Sequence, residues 1–273
     1  MKKCLASALA LLLTVTAANA ADLVEPAPPI VDAPEVTVQE ATGWYLRGDV
    51  GYAFSHLRGA EYFQGSNDNL VDFDHAKIKD SAILSGGVGY QINNYLRTDL
   101  TFDYLTKSKF NGGTVGICTD TVCTSDDRTS MQAYSLMANA YVDLGTYGYV
   151  TPYVGAGIGG AYVKWNNLRN TICDDPYSDG CYSTTHGGKG SWRFSYALMA
   201  GASIDITCAL KADIGYKYQH IGGGDMFGYE ENGGPGRDKG MDIHEARVGA
   251  RYVFGGCDTP VAYEPPPAPM VYK

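Results

Sequence analysis

The sequence has few basic residues, with 21 Lys and Arg against 30 Asp and Glu and a formal charge of −9. Proteins that bind phosphate backbones need clustered Lys and Arg, so this deficit excludes nucleic acid as an expected partner. Phe and Trp are also scarce, at 8 and 3, whereas there are 21 Tyr and 34 Gly. That balance favours many short strands and loops over helices.

Long apolar runs are absent after residue 20, which excludes a transmembrane helix from the rest of the chain. Within the first 20 residues, Lys2 and Lys3 precede an apolar stretch and the A-x-A site that ends at Ala20. We predict that residues 1–20 are a secretory signal peptide. A membrane anchor is the alternative, but the run is short for a spanning helix. Removing the signal leaves 19 basic and 30 acidic residues, a formal charge of −11.

Two Pro-rich segments flank the rest of the chain. Residues 21–42 are acidic and rich in Pro, with no usable hydrophobic period, and residues 255–273 have the same character. Such composition is typical of extended linkers. We therefore predict a periplasmic linker, a structured domain over residues 43–254 and a periplasmic C-terminal tail.

Apolar residues recur at every second position within that domain. In YLRTDLTFDYL, Leu100 and Phe102 fall on one face, whereas Asp99 and Asp103 fall on the other. Helical spacing would mix these two sets, so the pattern indicates strands. The sequence predicts eight of them, near residues 43–54, 81–92, 95–106, 130–144, 149–163, 191–206, 209–221 and 241–254.

The predicted connections alternate in length. Tight turns lie at 93–94, 145–148 and 207–208, and the remaining connections are long and polar, at 55–80, 107–129, 164–190 and 222–240. Short turns at one end and long loops at the other are typical of an up-and-down barrel. Each strand is long enough to cross a bilayer. The fold class predicted is all-β, an eight-stranded antiparallel transmembrane β-barrel with long extracellular loops.

Alternation alone does not decide which face points inward, and a soluble lipocalin-like ligand-binding barrel is the alternative. Tyr and Trp near the strand ends favour the membrane form, in which such residues lie at the interfaces. Eight strands leave an interior that side chains fill, so we do not expect a channel. The charges of the polar face have mixed signs, and we predict that they form an ion network in the lumen, comprising Arg47, Asp49, Arg97, Asp99, Lys211, Asp213, Glu245, Arg247 and Arg251.

The last predicted strand carries ARVGARYVF. Its residues Arg247, Gly249, Tyr252 and Phe254 resemble the terminal-strand signal read by outer-membrane assembly machinery. The segments GWYLRGDVGYAF and TPYVGAGIGGAYV resemble strands of the small OmpA-like, opacity-protein-like outer-membrane β-barrel family of Gram-negative bacteria. The resemblance covers about residues 21–254, although this chain continues past Phe254.

That resemblance implies an outer-membrane location with both termini in the periplasm. Membrane lipids, lipopolysaccharide and the barrel assembly machinery are the implied partners, together with host or matrix components bound by the four long loops. The implied roles are envelope integrity, adhesion and host interaction, without a cofactor. Related barrels with an Ala-Asp start can be joined to peptidoglycan, so the Ala21-Asp22 start raises the hypothesis of a tether through Ala21.

Six cysteines remain after the signal peptide, which leaves fifteen pairings open. The predicted topology brings three pairs together locally, namely Cys118 with Cys123, Cys173 with Cys181 and Cys208 with Cys257. Disulfides suit an exported protein. A metal site is the alternative, but CTDTVC lacks zinc-ligand spacing and a nearby His, so we expect no metal.

Five histidines raise the alternative of an enzyme. His220 and His244 fall near the outer ends of neighbouring strands, and Glu245 follows His244. Lipid-A-modifying barrels place a His, a Ser and an acid at such a position. Here no Ser stands two residues after His220, so we expect no catalytic residues.

Overall fold

The computed structural model describes residues 42–63, 69–118, 121–173, 180–230 and 233–257, without the side chains of residues 117, 118 and 121. The predicted signal peptide, most of the linker and most of the tail lie outside these residues. Among the described residues, no helix is long and apolar enough to cross a membrane.

Eight long antiparallel strands form a closed ring in the described part of the chain. Each strand pairs with its neighbours in sequence, and the last strand pairs with the first from Tyr45↔Val253 to Leu57↔Met241. The fold prediction is thereby confirmed. The strands are β1 (Gly43–Leu57), β2 (Ser81–Gln91), β3 (Leu96–Gly113), β4 (Thr121–Asp143), β5 (Val150–Trp165), β6 (Gly190–Asp205), β7 (Leu210–Ile221) and β8 (Met241–Val253).

The long loops are themselves rich in strands. One group forms a separate four-stranded sheet from Gly224–Phe227, Gly236–Asp238, Ala60–Phe63 and Leu70–Asp72. The other group widens the ring sheet where β3 and β4 project beyond the barrel, and consists of His75–Ile78, Val115–Cys118, Leu168–Cys173 and Cys181–His186. The loops are therefore folded structure above the barrel.

The apolar face of each strand points outward. Leu100 and Val248 are 47% and 53% exposed, whereas Asp99 and Arg251 are 6% and 2% exposed. Apolar side chains are thus exposed and charged side chains are buried, the opposite of the arrangement in a water-soluble protein. This arrangement lets the outer face of a barrel contact lipid. Aromatic pairs flank the outward apolar band, with Trp44–Tyr90 at the end of the short turns and Tyr162–Trp192 at the loop end.

The sequence prediction for the second long loop was wrong. Strand β3 continues to Gly113 and β4 begins at Thr121, whereas the strands were predicted to end at 106 and to start at 130. A bulge shifts the register between Leu105 and Ser108. An extra residue reverses the side-chain phase, so that Leu105 and Phe110 both lie inside the barrel. Side chains at odd-numbered positions of β3 point inward before the bulge, and those at even-numbered positions point inward after it. The alternation in the sequence therefore stops at the bulge, although the strand continues. His56, His75 and His186, which fall within the predicted long loops, also lie in strands.

Two disulfides lie at opposite ends of the barrel. Cys173–Cys181 joins two paired strands of the loops. Cys208–Cys257 links the β6–β7 turn to the chain just after β8. Both match the local pairs expected from the topology. The predicted Cys118–Cys123 pair depends on the Cys118 side chain, which lies outside the described residues.

Candidate functional site

The half of the interior nearest the short turns contains a buried ion network. The two terminal nitrogens of Arg47 each lie 2.9 Å from a carboxylate oxygen, on Asp49 and Asp99. Arg97 pairs with Asp143 at 3.0 Å, and its guanidinium lies 4.2 Å from the centre of the Tyr141 ring. Such contacts neutralise charges that are out of reach of bulk water.

A second cluster lies next to the first. Asp103 accepts hydrogen bonds from Lys217 at 2.6 Å and lies 3.1 Å from Arg247. Arg247 also donates to Glu245 at 2.5 Å. All nine residues predicted for the lumen face the interior. Among them, Asp213 lies 3.5 Å from Arg251, and Lys211 pairs with the partly exposed Asp205.

Three further charged residues of the polar strand faces, Asp103, Asp143 and Lys217, belong to the network. The apolar character of the other half of the interior was not predicted. Toward the loop end the interior becomes apolar, with a core that includes Ile83, Leu105, Met131, Val163, Ile221 and Ile243. Ion pairs therefore fill the half of the interior near the short turns, and apolar side chains fill the half near the long loops.

An ion pair fastens the loops to the top of the barrel. Arg193, on β6, lies 2.7 Å from Asp238 of the four-stranded loop sheet. Asp238 also accepts hydrogen bonds from Trp165 Nε1 at 3.1 Å and from the Gly240 amide at 3.0 Å. Burial raises the pKa of the Asp238 carboxyl, and Arg193 acts in the opposite direction. This pair holds the loop sheet against the barrel wall.

A cleft of about 470 Å³ opens between the two groups of loop strands. Its lining combines aromatic rings with carboxylates and amides. The lining includes Tyr62, Phe73, Asp72, Asp74, Asp127, Asn170, Tyr182, His186 and Phe227. We call this the loop-end cleft. Its size is that of a small-molecule or side-chain binding site.

Polar side chains in the floor of the loop-end cleft are held in fixed positions. Asp127 is 2% exposed and accepts hydrogen bonds of 2.7 Å from both Asn170 and Ser125. Burial raises the pKa of the Asp127 carboxyl. His186 Nδ1 lies 3.1 Å from the carbonyl oxygen of Gly228, and its ring packs on Phe227.

The rim of the loop-end cleft is exposed and acidic. Tyr182 is 46% exposed, and Asp72 and Asp74 are also exposed. Carboxylates accept hydrogen bonds from cations and hydroxyls, and aromatic rings attract cations and the apolar faces of ligands. This cleft could not be predicted from the sequence, because four separate connections contribute to it.

The histidines considered for an enzyme face outward. His220 Nδ1 lies 2.7 Å from Asp242 Oδ1, and His244 Nδ1 lies 2.5 Å from the Tyr216 hydroxyl. Glu245 instead points inward and bonds Arg247. The acid considered with these histidines, Glu245, therefore bonds neither of them, and His220 pairs with Asp242 instead.

The terminal-strand residues divide between the two faces. Arg247 lies inside the barrel, Gly249 is in contact with Asp49, and Tyr252 and Phe254 are exposed on the outer face as a ring pair. Ala21 lies outside the described residues.

A ring of eight strands with an outward apolar face and a filled ionic interior defines a transmembrane β-barrel. Residues 7–254 match the family described as the outer membrane protein beta-barrel domain, and the chain belongs to that family. The predicted resemblance is confirmed, and the protein is one of the outer membrane of Gram-negative bacteria.

The chain is also similar to other proteins and to a solved structure. An uncharacterized protein of Brucella abortus (strain 2308) is 37% identical over 282 positions, which cover 89% of this chain and 95% of that protein. A protein of Rickettsia bellii (strain OSU 85-389) named as a candidate adhesin is 26% identical over 180 positions, 64% of this chain and 71% of that protein. The crystal structure of Neisserial surface protein A is similar, with 18% identity, a TM-score of 0.45 and coverage of 79% of this chain and 100% of that chain.

Proposed function

We propose that this protein is a non-enzymatic surface protein that attaches cells to host or matrix components through the loop-end cleft. The observation that carries the proposal is the folded, acidic and aromatic cleft that the four long loops form above a filled barrel. A filled interior favours binding at the loops over transport through the lumen. The similarity to a protein named as a candidate adhesin also supports attachment.

Adhesion requires the loop end to face the outside of the cell, and the chain termini then lie in the periplasm. Strands β1 and β8 begin and end at the short-turn side, where the Phe254 amide bonds the Trp44 carbonyl at 2.9 Å. The flanking segments 21–42 and 255–273 would extend from that side. In this orientation the outer-membrane assembly machinery reads Arg247, Gly249, Tyr252 and Phe254 at the end of the last strand.

Replacing Tyr182 by serine is expected to reduce attachment, because it removes an exposed ring from the rim of the loop-end cleft. We expect about a fivefold to tenfold loss, the effect of removing one aromatic anchor worth about 1–1.5 kcal/mol. The measurement is attachment of a non-adherent bacterium expressing the full chain to cultured host cells and to matrix-coated plates, normalised to the amount of heat-modifiable barrel.

Tyr229→Ser is the matched control, because Tyr229 is 73% exposed and does not line the cleft. It should attach like the wild type. Equal losses in the two variants, or no loss in Tyr182→Ser, would count against the cleft as the attachment site.

We also propose that the mature N-terminus is joined to peptidoglycan and so contributes to envelope integrity. Cleavage after Ala20 would leave Ala21-Asp22 followed by a Pro-rich spacer. At about 3 Å per extended residue, the 22-residue linker could span about 60 Å.

Peptidoglycan purified from cells that make this protein is expected to yield, after muramidase and protease digestion, a peptide beginning at Ala21 bound to a muropeptide. Ala21→Trp, which retains export but removes the small first residue, is expected to lose that product. A free Ala21 terminus in all recovered protein would end the tether proposal and leave the adhesion proposal untouched.

A further inference from the structure

We propose that the outward face of β6, β7, β8 and β1 carries a binding site for the phosphate group of a lipid in the outer leaflet. The inference rests on the loop-end-outward orientation proposed above. The site is a row of polar side chains where the apolar band of the barrel ends.

Strand register creates this row. Tyr196 on β6 is paired with His220 on β7, His220 is paired with Asp242 on β8, and Asp242 is paired with His56 on β1. Directly paired residues on one face of a sheet lie about 5 Å apart. Four neighbouring strands therefore present one continuous polar row, which we call the histidine row.

Hydrogen bonds fix the rings of the histidine row. His220 Nδ1 and the Tyr218 hydroxyl both bond Asp242 Oδ1, at 2.7 and 2.9 Å. One step nearer the barrel centre, the Tyr216 hydroxyl bonds His244 Nδ1. Because His220 and His244 are held through Nδ1, Nε2 is the nitrogen of each of these two rings that can bond a ligand.

The histidine row lies at the depth of lipid headgroups. Leu210 and His220 are ten residues apart on β7, a rise of about 25 Å at the usual strand tilt, which equals the height of the apolar band of such barrels. Below the row, the outward side chains include the apolar Phe54, Leu198 and Val248, and His244 lies one step below Asp242 on β8. Polar side chains are costly within the hydrocarbon but not at its edge.

The side chains around the row suit an anion. His56 and Arg58 are exposed at the end of β1, and His220 and His244 flank them on β7 and β8. The nearby acids are Asp242, which bonds His220, and Asp80, which accepts a hydrogen bond from the Ser55 amide. A guanidinium and imidazole N–H groups are donors to phosphate oxygens.

Native mass spectrometry of the full chain in a neutral detergent tests the site. The probes are diphosphoryl lipid A and the same lipid after enzymatic removal of its phosphates. Wild type should retain the phosphorylated lipid about tenfold better, as expected for charge-assisted hydrogen bonds. His220→Gln should lose most of that preference.

His75→Gln is the matched control, because His75 is exposed on a loop strand away from the histidine row. It should retain lipid A like the wild type. Equal retention of both lipids by the wild type, an unchanged preference in His220→Gln, or release of fatty acid from the bound lipid would each overturn the proposal.

Two further readouts separate this proposal from the attachment proposal. His220→Gln should attach to host cells like the wild type, since His220 does not line the loop-end cleft. Protease added to intact cells should cut the loops, which tests the orientation alone. Failure of lipid selectivity with attachment and loop cleavage intact would overturn the lipid site only.

Discussion

Asp103→Ala is expected to lower the free energy of unfolding by about 3–5 kcal/mol, the cost of removing one partner of a buried ion pair. Asp103 is 2% exposed and is shared by Lys217 and Arg247, so its loss leaves Lys217 without this carboxylate and Arg247 with Glu245 as its remaining partner. Urea unfolding in lipid vesicles, followed by tyrosine and tryptophan fluorescence and by the heat-modifiable gel shift, measures the effect.

The matched control is Asp205→Ala, which breaks the pair with Lys211 at the short-turn end. These two side chains are 30% and 28% exposed, and a partly exposed pair contributes about 0–1 kcal/mol. Similar losses for Asp103→Ala and Asp205→Ala would contradict a dry ionic interior.

Arg193→Met is expected to cost about 3–5 kcal/mol at neutral pH, because it leaves the buried Asp238 carboxylate without its cation. The loss should depend on pH. Burial already raises the pKa of Asp238 in the folded protein, and removing Arg193 raises it further. The loss of stability is therefore full at pH values above the pKa of Asp238 in the folded variant. It disappears once the pH is low enough to protonate Asp238 in both folded proteins, because a protonated carboxyl needs no cation.

The difference in unfolding free energy between Arg193→Met and wild type, measured at pH 8 and pH 4.5, tests this. Arg193→Met combined with Asp238→Leu serves as the control, since replacing both partners of a buried pair with apolar residues of similar size is often neutral. A loss that is the same at both pH values, or that the double variant does not reduce, would show that Arg193 acts through packing rather than charge. Loosening the loop sheet should also weaken attachment through the loop-end cleft.

Period-two patterning was enough to divide each strand into two faces, with Leu100 and Val248 on the apolar face and the nine lumen residues on the charged face. Alternation did not decide which face points outward, and the Tyr and Trp residues near the strand ends favoured the apolar face. The topology also reduced the cysteine pairings to local ones, two of which the structure contains. These features depend on residues that are close in sequence or fixed by strand order.

Features that depend on several distant segments could not be predicted. The bulge near Leu105 reversed the side-chain phase, so the projecting parts of β3 and β4 resembled a polar loop. Asp238 lies in a Gly-rich polar connection, and only the folded loops bring it to Arg193. The loop-end cleft likewise needs all four connections at once, and the histidine row needs the register of four strands.

The most direct test of the central claim is nuclear Overhauser transfer between lipid and side-chain methyl groups, with the full chain in phospholipid nanodiscs. Leu100 and Val248 are expected to show cross-peaks to acyl-chain methylene protons. Met137, which is fully buried inside the ring, is expected to show none. Cross-peaks from water, and none from acyl chains, at Leu100 and Val248 would contradict a barrel whose apolar face meets lipid.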